Sequence, residues 1–371
     1  MKFKHLAVIV CVLLALVLVG TALRRRTTPP ADGNLAGQVE LVQLLDDGFS
    51  EEAVNGLILS RKVEAPPAAG GDPSDSRPEK ILREVRLSRS DGGEWLAASA
   101  FNAPANAAKI KDFLASLRGL RGDLQAEQKT SHAGLGVDAD GSLRLEIATK
   151  DGKSAILHAG ERAGGVYGES YVRREGEDRV YRVNLDVRRS AGMLSPSSPA
   201  PAARDWLDLA LSDIRPEAMR RVTLEYPEGK LVMARGKAED GEESGGAWKL
   251  EAGGAAERFK PDRLESWASD AAALNAEDAA DPTLADQAGM AGGVSSLVVS
   301  ADGGPDFSLR LWTRDDRHYA VSSLRPNLVY SVTESSRSRI FPPIGEFFAE
   351  EAAPDEKEAG PEPAGDAGGD D

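Results

Sequence analysis

Four histidines, His5, His132, His158 and His318, are the side chains best suited to acid–base or metal chemistry near neutral pH. None has a second ligand type at the i+2 or i+4 spacing that would converge on a metal, and a metal site requires convergent ligands. His132 falls in a polar loop, and His158 and His318 fall in or beside expected strands, so a solvated or structural role is expected for each. No serine occupies the Gly-x-Ser-x-Gly turn that presents a nucleophile. Gly164, Gly165 and Gly168 make a glycine-rich turn, but no Lys-Ser/Thr follows to close a phosphate loop. Asp138 and Asp140 open VDADGSL, which has the start of a calcium loop without its third acidic position or closing glutamate. A turn leading into a strand accounts for that segment better. Carboxylates are numerous enough for a pair to converge as in a hydrolase, and no spacing singles one out. The expected site therefore contains no catalytic, cofactor-binding or metal-binding residue, and the chain is expected not to be an enzyme.

Trp95 and Trp248 are the next candidates, since each follows Gly-Gly-x and an exposed pair of aromatic rings could stack on a ligand. Their surroundings point to packing instead. Downstream of Trp95, Ile110, Phe113, Leu114, Leu117 and Leu120 mark one face of a helix. Downstream of Trp248, Leu264, Trp267, Ala268, Ala271 and Leu274 do the same, each 154 residues beyond its counterpart. Upstream, SEEAVNGLILS matches RPEAMRRVTLE; further on, Tyr171 and Tyr181 correspond to Tyr319 and Tyr330 in two hairpin-like segments. Matched elements in one order imply a structural unit present twice.

Each unit reads as three strands, the third ending near the tryptophan, then a helix and four more strands. SLRLEIAT, SAILHAG, VYGESYVRR and RVYRVN supply the four in the first unit; SSLVVSA, FSLRLWT, HYAVSS and LVYSVT supply them in the second. The fold class is α+β, with two homologous units, each a mainly antiparallel sheet covered on its apolar face by one amphipathic helix. PPAAGGDPSDSRPE is a loop insertion in the first unit, and KAEDGEESGG a smaller one in the second. The boundaries place the first unit at 49–190, a Ser/Pro linker with a short helix over ARDWLDLAL at 191–213, and the second unit at 214–345.

Leu6 to Leu23 is an uncharged run of eighteen residues, long enough to cross a bilayer core as a helix. An uncleaved single-pass anchor at 1–26 and a juxtamembrane segment at 27–48 are expected. The lysines before the run and Arg24, Arg25 and Arg26 after it nearly balance, so charge alone does not orient the anchor. Cys11 is the single cysteine, which excludes an intramolecular disulfide and a cysteine-based zinc site. The net charge is −15, and part of it lies in an acidic tail at 346–371, expected to be solvated and disordered. With no basic stripe, a nucleic-acid partner is not expected.

The anchor, the Glu-Ala-Val strand entry, Gly-Gly-x-Trp, the following helix, GLGVDADGSLRL from Gly134 and the Tyr-Val…Val-Tyr-x-Val hairpin together resemble a bacterial family catalogued as a domain of unknown function, number 4340. The resemblance covers about 49–332 as two copies; the second has no clear Gly-Leu-Gly-Val-Asp. It implies an anchored envelope protein, of a kind often encoded beside gliding-motility-type ABC transporter components. The soluble part would then lie outside the cytoplasmic membrane, in the periplasm. The expected function is an accessory or scaffold subunit of such a membrane complex, with the inner membrane as a partner through residues 6–23. Two alternatives stand beside it: a glycan- or small-ligand-binding module with a cleft between the units, and an anchored carboxylate-dependent hydrolase.

Overall fold

The computed structural model describes residues 40–46, 48–65, 79–165, 168–194, 199–236, 246–287 and 293–350. The expected anchor, Cys11, His5, most of both loop insertions and nearly all of the acidic tail lie outside these residues. Among the described residues no helix is long and apolar enough to cross a membrane. The chain divides after Val42, and the unit from Gln43 onward carries both sheets.

That unit is α+β, built on two antiparallel sheets with few helices. The first sheet uses β2 (Val54–Glu64), β3 (Lys80–Arg89), β4 (Trp95–Ala97), β5 (Ala103–Pro104), β6 (Arg121–Ala126), β7 (Leu143–Thr149), β8 (Ser154–Arg162), β9 (Ser170–Arg174) and β10 (Val180–Val183). Their order across the sheet is β6-β10-β9-β8-β7-β2-β3-β4-β5, with Gln43 of the two-residue β1 (Val42–Gln43) beyond β6. The second sheet uses β11 (Met219–Tyr226), β12 (Gly229–Arg235), β13 (Trp248–Ala252), β14 (Asp278–Ala280), β15 (Ser295–Ala301), β16 (Phe307–Arg314), β17 (Arg317–Ser322) and β18 (Val329–Val332). Its order is β14-β18-β17-β16-β15-β11-β12-β13, which reads strand for strand onto the first sheet from β6 to β4.

Alternation explains the strands: in β7 every second side chain is buried, from Leu143 through Leu145 and Ile147 to Thr149. The helices form where expected. In α1 (Ala107–Arg118) the Asn106 side chain accepts from the Lys109 N–H at 3.0 Å and caps the first turn. Ile110, Phe113, Leu114 and Leu117 form its buried face. After the short α2 (Val187–Ser190), α3 (Pro261–Ala272) starts with proline in its first turn and buries Leu264, Trp267, Ala268 and Ala271. Those residues share one core with Val222, Leu224, Leu297, Leu309 and Tyr330 of the second sheet. Behind that sheet, Trp312, Val321 and Val329 make a smaller cluster with Leu284 and Ala285 of α4 (Leu284–Gln287). Trp95 and Trp248 are both buried, as the packing reading requires.

Two expectations need correction. The third strand does not lead up to each tryptophan but starts with it, because Trp95 and Trp248 are the first residues of β4 and β13. Each helix is also followed by a further strand at the outer side of its sheet, β6 or β14, before the four expected strands. β6 carries glycine, Asp123 and Gln125 in six residues, and β14 is only three residues long, so neither shows a β pattern in sequence.

The segment between the sheets also differs from a helix. Ala203–Trp206 makes one 3-10 turn, and the chain then runs extended. Trp206 enters the first core, edge-on to Phe113 at 5.2 Å, with the Lys109 ammonium 4.9 Å from its ring centre. The Asn106 N–H donates to Trp206 O at 2.7 Å and the Asp208 N–H to Pro104 O at 2.9 Å. Within three residues the chain has changed sheets: the Ala276 N–H donates to Leu209 O at 2.8 Å, and the Leu211 N–H to Leu274 O at 3.0 Å. Alternating apolar residues, Trp206, Leu207, Leu209 and Leu211, fit such a strand as well as they fit a helix.

Phe347, which the sequence boundaries put in the disordered tail, is instead buried in the second core and plays the same part in the second sheet. The Lys260 N–H donates to Phe347 O at 2.9 Å, the Ala349 N–H donates to Arg258 O at 2.7 Å, and the Arg263 guanidinium lies 5.8 Å from the Phe347 ring centre. Gly254 makes room there, because a Cβ on it would sit 2.3 Å from Phe348 Cζ. These plugs should carry much of the stability. Trp206→Ala and Phe347→Ala are each expected to cost about 3–5 kcal/mol in urea unfolding. Truncation after Glu350 should be neutral, and truncation after Pro343 should unfold the second sheet. A cost below about 1 kcal/mol for either alanine would show that the segment merely lies on the surface.

Candidate functional site

The histidines occupy three different settings. His132 is buried, which corrects the solvated option: its Nε2 lies 2.9 Å from Asp178 O and ties the loop ahead of β7 to the β9–β10 turn. His158, on β8, stands between Ser142 Oγ, 2.9 Å from Nδ1, and Glu175, whose carboxylate contacts Nε2. Serine, histidine and carboxylate in line is the composition of a hydrolytic triad. The exposure is reversed, however. The Ser142 residue is 3% exposed, while the Glu175 side chain is 55% exposed, so the nucleophile faces the core and the acid faces water. The cluster joins β7, β8 and the β9–β10 turn. Burial lowers the His158 pKa and outweighs the opposing pull of Glu175; the hydrogen bond from His158 in turn lowers that of Glu175.

The GLGVDADG segment is a braced loop. Asp138 Oδ1 accepts from the Asp140 and Gly141 N–H groups at 2.7 and 2.8 Å, an Asx turn before β7. Asp140 pairs outward with Lys62 at 2.7 Å, so the two aspartates do not converge on one ion. Arg188, from α2, donates to Gly141 O at 2.6 Å and to Ala159 O at 3.2 Å. Its pKa falls to about 10, through burial first and the nearby Arg61 second. Gly160 allows the loop to close: a Cβ there would lie 2.2 Å from Leu135 O. Gly164 has φ 56° and Gly168 φ 86°, so both serve turns. Among the described residues no group of three or more His, Cys, Asp or Glu could hold a metal ion.

His318 is set differently. A cleft of about 460 Å³ is lined by Arg204, Glu277, Asp278, Arg317, His318 and Glu334, among others. Thr313 Oγ1 lies 2.8 Å from His318 Nδ1, and Nε2 pairs with Glu334 Oε2 at 2.6 Å. Glu334 opens the helix α5 (Glu334–Ile340) and also accepts from Arg337 Nε and Nη2, at 2.8 and 2.6 Å, and from Ser338 Oγ at 2.7 Å. Its four lone-pair positions are therefore filled, and its pKa drops to about 2, chiefly through Arg337. A carboxylate so held is neither a base nor a nucleophile for a further partner. Asp278 is the opposite case: burial raises its pKa, and among the described residues its side chain accepts only from its neighbour, the Ala279 N–H, at 2.8 Å. The charge on Asp278, with Arg317 and Arg204 beside it, is what the cleft offers to a ligand.

Sequence alone marks no residue of this cleft beyond His318. Its other members come from β14 and the residue before it, from the start of β17, from α5 and from the segment joining the sheets, and none shares a motif. Asp278 sits in ALNAEDAADP, where only an unrecognised edge strand would have marked it.

The fold and this cleft define an α+β protein of two like-ordered antiparallel sheets, with its chemically available groups at the edge of the second. The chain belongs to the family described as a domain of unknown function, DUF4340, whose model matches residues 95–291. No curated protein and no solved structure gave a match.

The His158 cluster makes a pH prediction. The unfolded chain takes a proton on His158 near pH 6.5, while the folded state resists it. Stability from this residue is therefore present in full above pH 6.5 and falls as pH drops below it. Urea midpoints of the wild type should decline more between pH 7.5 and 5 than those of His158→Gln. Parallel declines would mean that His158 is not held neutral.

Proposed function

We propose that this chain is a non-enzymatic, membrane-anchored envelope protein made of two copies of one α+β unit. It serves as an accessory or scaffold subunit of a membrane complex, such as a gliding-motility-type ABC transporter. Residues 6–23 hold it in the cytoplasmic membrane, and the two units lie on the periplasmic side. The observation that carries this reading is how the chain uses its polar groups of catalytic type. Ser142, His158 and Glu175 join strands with the hydroxyl facing inward, and Glu334 is saturated. Family membership supports it further, as does the strand order shared by the two sheets. A single segment bonded to both sheets would present their surfaces in a fixed relation, which suits a scaffold.

A second reading, a small-ligand-binding module, is favoured by the cleft at the edge of the second sheet, where Arg204 of the joining segment meets Asp278 and Arg317.

Removal of Met1–Arg26 should leave a folded protein but abolish complementation of a deletion strain, because the anchor keeps the partner at high effective concentration. Alanine at His132, His158, His318, Asp138 or Asp140 should leave function largely intact at matched protein levels. Full rescue by the unanchored form would count against the scaffold, and complete loss from one folded histidine variant would point to chemistry. A reporter active only in the periplasm, fused after Glu350, should be active; activity of a cytoplasm-only reporter there would reverse the orientation.

A further inference from the structure

The first sheet contains an occupied version of the cleft in the second. Tyr181 pairs with Leu124 and Arg182 with Asp123 across β10 and β6. Tyr330 pairs with Ala279 and Ser331 with Asp278 across β18 and β14. On the inner side, Arg182 pairs with Tyr171 of β9, and Ser331 with Tyr319 of β17. By strand position, Asp278 therefore stands where Asp123 stands, Ser331 where Arg182 stands, and Arg317 where Glu169 stands.

In the first sheet the site is closed by its own arginine. Arg182 Nε and Nη2 donate to the two oxygens of Asp123 at 3.3 and 3.2 Å, a fork on a carboxylate, and Glu169 lies 3.9 Å from Nε. In the second sheet serine replaces that arginine. Asp278 keeps its position but forms no ion pair among the described residues; Arg204 acts on it only at longer range, and burial, the larger effect, disfavours its charge. Where Glu169 completes the first site, Arg317 lines the second and has no ion-pair partner among the described residues. The cleft has the volume of a small-molecule site. No Phe, Tyr or Trp is among the residues that line it, and the His318 ring is already engaged by Thr313 and Glu334, so a sugar ring has no broad platform to stack on.

We propose that this cleft binds the zwitterionic head of a free amino acid, whose ammonium group takes on Asp278 the place that Arg182 takes on Asp123, with the adjoining carboxylate facing Arg317. Serine in place of arginine leaves the position open, and Arg317 in the place of Glu169 supplies the counter-group for the carboxylate next to that ammonium. The assignment goes beyond the scaffold reading and does not depend on it: a scaffold subunit with this site would sense a free amino acid.

The test is calorimetric titration of the full-length protein in detergent with L-arginine and with agmatine, which lacks the carboxylate. L-Arginine should bind with a dissociation constant of about 1 mM or tighter, and agmatine at least several-fold more weakly. Asp278→Asn should weaken arginine binding tenfold or more. Ser331→Arg, which rebuilds the closed arrangement of the first sheet, should abolish binding and raise the melting temperature. Either variant decides the matter alone if the other fails to fold. No binding of L-arginine at about 10 mM, or unchanged affinity in a folded variant, overturns the proposal. Equal affinity for agmatine overturns the assignment to an amino acid.

Discussion

Backbone pairing at the segment Trp206–Leu211 holds the architecture together. An antiparallel sheet exposes unpaired N–H and C=O groups at each edge, and these must be bonded or wetted. Here one extended segment serves two edges in turn, first Pro104 and Asn106, then Leu274 and Ala276. Its side chains divide the same way, with Trp206 beside Phe113 in the first core and Leu211 in the second. Arg325, from the β17–β18 turn, donates to the carbonyls of Asp208 and Ala210 and to the Asp208 carboxylate. Such a connection cannot swing like a Ser/Pro tether without breaking hydrogen bonds at both ends.

The same clamp recurs at the entry to the first sheet. Arg174, the last residue of β9, donates to the carbonyls of Leu44 and Gln43, and the Leu44 N–H donates to Leu120 O at 3.0 Å. Arg174 lies 5.9 Å from the Tyr181 ring centre, and Arg325 lies 6.0 Å from that of Tyr330. Entry segment, clamping arginine and buried tyrosine thus recur in both sheets, although the arginine ends a strand in one and sits in the turn in the other. The exit plug, Trp206 or Phe347, is a second such device. Each sheet begins and ends in a strand that the sheet itself does not supply from its middle. This explains why the corresponding residues are scattered along the chain rather than gathered in a motif.

The arrangement also decides how much of the fold was legible in the sequence. The helix faces of α1 and α3 and the strands β7 and β15 could be read because each buries a periodic set of side chains within one element. The edges could not. β6 and β14 are short and polar, and the joining segment carries apolar residues at a spacing that suits either a helix or an alternating strand. Its conformation was decided by the presence of two open sheet edges, a tertiary fact that no local window contains. His132 departs from expectation for a related reason: its loop is polar in sequence, yet the carbonyl of Asp178, far along the chain, buries and satisfies the ring. Ser142 and Glu175 carry no local signal at all, because only the pairing of β7, β8 and β9 brings them to His158.

The candidate cleft is legible only by comparing the two sheets. Taken alone, Asp278 is one partly buried carboxylate among many acidic residues, and neither its neighbours in sequence nor its exposure marks it. Set against Asp123 by strand order, it is a carboxylate that faces serine where Asp123 faces arginine. A closed ion pair between β6 and β10 ties an edge strand to its neighbour, and its contribution at a partly exposed site is modest. Replacing arginine by serine at Ser331 gives up that tie and leaves a carboxylate in a setting that disfavours its charge. For a group serving only the fold, alanine or asparagine at 278 would avoid that cost. An aspartate opposite serine, with Arg317 in place of the acidic Glu169, is an arrangement that the proposed ligand would complete.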